Sequence, residues 1–192
     1  MPNLLPFRDY NEHDVINLYS CNIVADKGTL VKPIRSPQDS GGNDSSTGGP
    51  LKLGSDRSGG KFTNTINNLF DIVGQVTPVV NWNDAPCPIG VLLLSVKEVD
   101  ENGEKLIFNP RKAAEMNVVL PKINAVPILT KGIIRVNDID TTNRGGGGGN
   151  PDIGDFAYVG DSGKIGTDGA TAIGRFLSKK DENGYCLVKL SM

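Results

Sequence analysis

Ala172-Ile-Gly-Arg-Phe-Leu-Ser178, a turn at Asp181-Glu-Asn-Gly184, and Tyr185-Cys-Leu-Val-Lys-Leu190 together decide the fold class. Two apolar runs flank a turn that ends in Asn-Gly, the pair whose backbone most readily reverses a strand. The spacing predicts a hairpin. The same tetrapeptide, Asp100-Glu-Asn-Gly103, ends the run Ile89-Gly-Val-Leu-Leu-Leu-Ser-Val-Lys-Glu-Val99 and precedes Lys105-Leu-Ile-Phe108, which predicts a second hairpin.

Working outward, Asp155-Phe-Ala-Tyr-Val159 turns at Gly160-Asp-Ser-Gly163, and Ala125-Val-Pro-Ile-Leu129 turns at Thr130-Lys-Gly132 before Ile133-Ile-Arg-Val136. Strand signals are also dense from Phe70 to Trp82. Near the start, Val15–Val24 and Thr29–Ile34 flank Asp26-Lys-Gly28 and read as a hairpin with Gly28 at positive φ. A rival start exists there: Asp9 and Glu12 form a capping-box-like pair ahead of Val15, Ile16 and Tyr19, but strand is favoured from about residue 17. Asn109-Pro110 followed by Arg-Lys-Ala-Ala-Glu-Met116 gives an N-cap, a first-turn proline and good helix formers, so one short helix is expected, ending at Asn117. About ten short strands with turn signals every 8 to 12 residues predict an all-β chain, a small antiparallel barrel or sandwich. The Ile-Gly pairs at 89–90, 153–154, 165–166 and 173–174 mark tight curvature.

Composition agrees. The 192 residues include 24 Gly and 12 Pro, and Asn outnumbers Ala more than two to one, a balance that opposes helices. Residues 1–14 read as an extended arm, with Leu4, Leu5, Phe7 and Tyr10 separated by Pro6, Arg8 and Asp9, its apolar groups folding back or docking on a partner. Residues 15–192 read as a single β-rich domain. Within it, the Gly/Ser-rich loop 36–60, whose apolar residues are Leu51 and Leu53, buries too little to order itself. A second Gly-rich excursion runs over 143–150. Both are expected to find their order on a partner.

The formal net charge of −2 gives no basic footprint for nucleic acid. The N-terminus lacks the basic and apolar regions of a secretory signal, and no apolar run approaches the ~18 residues that span a bilayer. Cys21, Cys87 and Cys186 lack metal-ligand spacing and read as buried thiols, and the single His13 leaves little for a metal site or a Ser/His/Asp triad.

Gly160-Asp-Ser-Gly-Lys-Ile-Gly166 is not a dinucleotide fingerprint, and Ser58-Gly-Gly-Lys-Phe62 lacks the hydroxyl that a phosphate loop places on Mg²⁺. Asp161-Ser-Gly163 matches the aspartic-protease triplet but occurs once, where the chemistry needs two carboxylates, so a dimer would have to supply the second. Asp138, Asp140, Asp152 and Asp155 bracket the glycine run without the alternating pattern of a Ca²⁺ loop. No catalytic constellation, cofactor or metal site is expected.

Lys27-Gly-Thr-Leu-Val31, Pro88-Ile-Gly-Val-Leu-Leu93, Leu129-Thr-Lys-Gly-Ile133, Gly154-Asp-Phe-Ala-Tyr-Val-Gly160 and Ile173-Gly-Arg-Phe-Leu-Ser178 with Gly184-Tyr-Cys-Leu-Val188 form a spaced pattern. Over roughly residues 15–34 and 70–192 the chain resembles the head decoration, or cement, proteins of tailed bacteriophages, particularly marine and cyanobacterial phages. The resemblance implies a virion structural protein on the capsid exterior, reaching it from the host cytoplasm during assembly. The implied partners are the major capsid protein and further copies of the chain, with a trimer favoured and a dimer possible, and no nucleic acid or membrane. It also implies capsid contacts through arm residues Leu4, Leu5, Phe7 and Tyr10 and through loop residues Leu51, Leu53 and Arg57. The alternatives are a fibre, baseplate or receptor-binding module and, further off, the dimeric Asp-Ser-Gly protease.

Overall fold

A computed structural model describes residues 4–6, 10–34, 74–83, 88–122, 124–145 and 148–192. The fold is all-β, and its strands form two main bodies. The first is a closed barrel of β2 (Val15–Cys21), β3 (Leu30–Pro33), β4 (Gly74–Pro78), β5 (Gly90–Leu92) and β8 (Ala125–Leu129), in the order β2-β4-β3-β5-β8. The second is a seven-stranded sheet of β1 (Leu4–Pro6), β9 (Lys131–Val136), β10 (Ile139–Asp140), β11 (Phe156–Val159), β12 (Ile165–Gly166), β13 (Ala172–Phe176) and β14 (Cys186–Ser191), in the order β1-β9-β14-β13-β11-β12-β10. Only Asn137 and Asp138 separate β9 from β10. One bent segment therefore lies beside β14 through its first half and beside β12 through its second, which curls the sheet towards closure. A small parallel pair, β6 (Ser95–Val96) and β7 (Val118–Val119), lies alongside.

Consecutive apolar residues in the barrel wall are buried on both sides. Val31, Leu92 and Ile128 fill the barrel interior with Cys21, Val76 and Val126. Their chain neighbours Leu30, Val91 and Leu129 face the other way, into the core shared with Ile134, Phe176 and Leu190 of the sheet. Two-sided burial explains why these strands read as continuous apolar runs rather than alternating ones. The wall is close-packed: a Cβ on Gly90 would lie 2.4 Å from Ile128 Cγ2 and 2.5 Å from the Leu129 carbonyl oxygen.

The two Asp-Glu-Asn-Gly turns form with the same hydrogen bonds. Asp100 Oδ1 accepts from the Asn102 and Glu104 N–H groups, Asp181 Oδ1 accepts from those of Asn183 and Tyr185, and Gly103 and Gly184 take φ of 83° and 79°. The second turn joins the paired strands β13 and β14 as expected. The first does not open a full hairpin, because after one bridge, Val99 to Lys105, the return segment coils into a 3₁₀ turn at Leu106–Phe108. Helix α1 (Pro110–Glu115) forms with Asn109 Oδ1 accepting from the Lys112 N–H, as its sequence predicts.

Two further hairpins are corrected. β2 and β3 flank the Gly28 turn, but β4 sits between them, paired parallel to β2 and antiparallel to β3. β8 and β9 do not pair. Thr130 carries the chain from barrel to sheet, its N–H and hydroxyl both donating to the Asp14 carbonyl.

Residues 4–6 are a strand of the domain rather than an arm outside it. Leu4 opposes Val136 and Leu5 opposes Arg135, so the period-two alternation sends Leu4 into the core, 2% exposed, and Leu5 to the outer face. Leu4 is thus corrected from a capsid contact to a core residue. Tyr10 is half-buried and packs against that core, close to Gly132 of β9. Phe7, Leu51, Leu53, Arg57 and loop 36–60 lie outside the described residues.

Candidate functional site

At one end of the β3–β4 pair, where β2 also ends, three loops converge on an apolar groove lined by Ile23, Val24, Thr29, Pro78, Val80 and Ser162. Local sequence explains it. β2 stops at Cys21, Asn22 still donates its N–H to the Val76 carbonyl, and the backbone of Ala25 exchanges two hydrogen bonds with Val96, so Ile23 and Val24 bow outward between these anchors. Val79 turns into the core and donates its N–H to the Leu30 carbonyl, so the adjacent Val80 must face out. Val24 and Val80 are 54% and 62% exposed beside Ile23. The connection from Pro33 to Gly74 leaves from the opposite end of the same antiparallel pair, which runs Val31↔Pro78 to Pro33↔Val76.

A polar knot, buried at Arg144 and Asp140 and half exposed at Asp161, supports the groove's far rim. Asp161-Ser-Gly163 forms the turn between the antiparallel strands β11 and β12, and Ser162 sits in the left-handed region at φ 56° while donating its N–H to the Val80 carbonyl at 2.9 Å. A non-glycine residue held there stores on the order of 1 kcal/mol of strain and needs firm support. Arg144 supplies much of it. Its side chain, only 8% exposed, pairs with Asp140 and donates to Asp161 Oδ2 at 2.8 Å and to the Asp168 carbonyl at 3.0 Å. Its guanidinium also lies 5.7 Å from the Trp82 ring centroid, while the backbone N–H of Trp82 donates to Asp161 Oδ1 at 2.8 Å. Burial pushes the Asp140 carboxyl up, but Thr142, the Asp161 N–H and Arg144 outweigh it and hold that carboxyl well below the usual range. Burial likewise opposes the charge on Arg144, and the two carboxylates raise it above its ordinary value.

The knot revises the reading of the excursion 143–150. Arg144 and its Asp168 contacts give that segment an anchor within its own domain; residues 146 and 147 lie outside the described residues. Sequence reasoning missed Arg144, although one cation at the head of a glycine run, four residues after Asp140, is a visible signal.

The remaining singled-out residues have structural partners. Asp161 engages both carboxylate oxygens, as above. Asp138 pairs with Lys164 at 2.9 Å and Asp152 with Lys179 at 3.0 Å, and Asp155 Oδ2 accepts from the Asp152 N–H. These carboxylates do not gather with others into a metal-sized cluster among the described residues. Cys21 and Cys186 are free and buried, and burial pushes the Cys186 thiol up to about 11. Cys87 lies outside the described residues. A scan against protein-family models, a search of curated proteins and a search of solved structures each find no match to this chain.

Proposed function

We propose that this chain is a virion structural protein that binds the outer surface of an icosahedral phage shell and holds neighbouring major capsid subunits together. The observation that carries the reading is the exposed apolar groove of Ile23, Val24 and Val80, built on a rim that the Arg144 knot holds rigid. Among the described residues these three adjacent aliphatics stay about half exposed or more, and a pre-shaped apolar surface binds without ordering costs. The spaced motifs that resemble cement proteins supply the partner class.

The mechanism is linkage and involves no chemistry. A protein that binds the assembled shell but not its separated subunits shifts the equilibrium towards the shell, and many copies multiply a modest term per site. Homo-oligomerisation, with a trimer favoured, would raise that avidity further.

The test is co-sedimentation with expanded shells of the cognate phage, comparing the native chain with a Val24→Asp, Val80→Asp variant. The native chain is expected to saturate the shells, and the variant to bind at least about tenfold more weakly with an unchanged melting temperature. Equal binding by both removes the groove from the account. A receptor-binding module is the second reading, favoured by the exposed Phe156 beside Tyr158, whose rings lie 6.3 Å apart. Copy number separates the two, since decoration needs hundreds of copies per particle and a tail module tens or fewer.

A further inference from the structure

The outer face of the seven-stranded sheet carries a charge pattern at odds with the chain as a whole. Acidic residues outnumber basic ones by 22 to 20 over the full sequence. Yet the adjacent strands β1, β9, β14, β13 and β11 contain four cations, Lys131, Arg135, Arg175 and Lys189, and not one Asp or Glu.

The pairing register puts all four on the same side. Ile133 opposes Lys189, Lys189 opposes Arg175, and Arg175 opposes Phe156, giving one row across four strands. Leu5 opposes Arg135 and Arg135 opposes Leu187, giving a parallel row, and Lys131 opposes Ser191. The intervening residues Ile134, Val136, Val188 and Leu190 point into the core, which fixes the outward direction of the rows. At a strand spacing of about 4.8 Å the longer row spans ~14 Å.

The cations differ in how they are held. Arg135 pairs with Asp181 and lies over the Tyr185 ring, and Arg175 lies 4.1 Å from the Phe156 ring centroid. These two are fixed in place. Lys131 and Lys189 are exposed and have no ion-pair partner among the described residues. The face is therefore an apolar, aromatic-edged sheet surface with two fixed guanidiniums and two exposed ammoniums, and among the described residues the carboxylate that pairs with these cations is that of Asp181.

We propose that this face docks on an acidic protein surface, the carboxylate-rich and aliphatic-studded exterior of a shell subunit; the inference rests on the reading that the chain decorates such a shell. Charge complementarity selects the acidic partner. The alternation of cations with Ile133, Leu5 and Leu187 selects protein over a polyphosphate, which would cover the cations and leave the aliphatics wet. Their half-buried seating within the sheet surface also suits a packed protein face better than insertion into lipid. The groove and this face share no residue, so one copy has two surfaces with which to bridge two subunits.

The experiment uses decorated particles and a Lys131→Glu, Lys189→Glu variant with an unchanged melting temperature. Carbodiimide, which joins an amine to a carboxylate only at salt-bridge distance, is expected to link Lys131 or Lys189 to an Asp or Glu of a shell subunit. The variant is expected to lose at least about tenfold in shell affinity at low ionic strength, with the gap closing near ~0.5 M NaCl. Native occupancy with no such cross-link and an equally bound variant overturns this inference and leaves the docking reading standing. Failure of the native chain to occupy shells overturns both. Loss by the variant of binding to phosphatidylserine vesicles, with shell binding intact, assigns the face to a membrane and overturns the proposal.

Discussion

The groove at the barrel end and the outer face of the sheet are both exposed and both carry aliphatics, but they are built on opposite principles. The groove of Ile23, Val24 and Val80 bears no charge, and its rim at Ser162 is braced by the Arg144 ion pairs with Asp140 and Asp161. The sheet face displays its charges, in rows that strand register sets. The difference separates recognition by shape, which is insensitive to salt, from recognition by charge, which salt screens within about a Debye length. On the proposed capsid reading both have a use, with charge steering the encounter and apolar area slowing departure.

The largest expected effect is at Arg144. Arg144→Ala removes the shared cation from Asp140 and Asp161 and the lid from Trp82, and loss of one partner from a largely buried ion pair costs roughly 3 kcal/mol. The expected outcome is a clear fall in melting temperature by calorimetry and loss of groove-dependent binding, while salt-sensitive binding through the sheet face persists in the folded fraction. An unchanged melting temperature would show that the rim does not depend on the knot. Arg144→Lys is expected to recover only part of the loss, because an ammonium lacks the planar fork that reaches Asp140, Asp161 and the Asp168 carbonyl together.

Acid gives a graded version of the same contrast. The folded-state pKa of Asp140 lies below its ordinary value of 3.8, so its contribution is complete above about pH 4 and is lost as pH falls through the folded value. Asp181, lowered by its hydrogen bond from Arg135, follows the same sign on the sheet side. Stability measured by denaturant titration is expected to hold between pH 5 and 7 and to decline below pH 4, with Arg144→Ala showing a shallower acid decline than the native chain. An equally steep decline would place the acid-sensitive groups elsewhere.

Much of the fold was legible because it is written locally. The Asp-Glu-Asn-Gly turns form the same hydrogen bonds at Asp100 and Asp181, and the cap at Asn109 starts α1 as its neighbours require. Pairing was less legible, because apolar alternation reports which side of a strand is buried and not which strand lies beside it. The β2–β3 hairpin failed for that reason: β4, 40 residues downstream of β3 in the chain, takes the place between them. The same limit hid the fate of Leu4. Its pattern announced a buried residue, and only the partner strand β9 shows that the burial is internal. The candidate site was least legible, because Trp82, Asp140, Arg144, Asp161 and Asp168 meet through tertiary folding from four separate segments. The outward turn of Val80 depends on Val79 finding the Leu30 carbonyl, which no window of sequence reveals.

The position of the chain on the particle can be read from a reconstruction of decorated shells. Density for this chain is expected in hundreds of copies on the shell exterior, with Ile23, Val24 and Val80 against a capsid subunit. Density confined to the tail, or a shell-bound copy whose groove faces solvent, would contradict it.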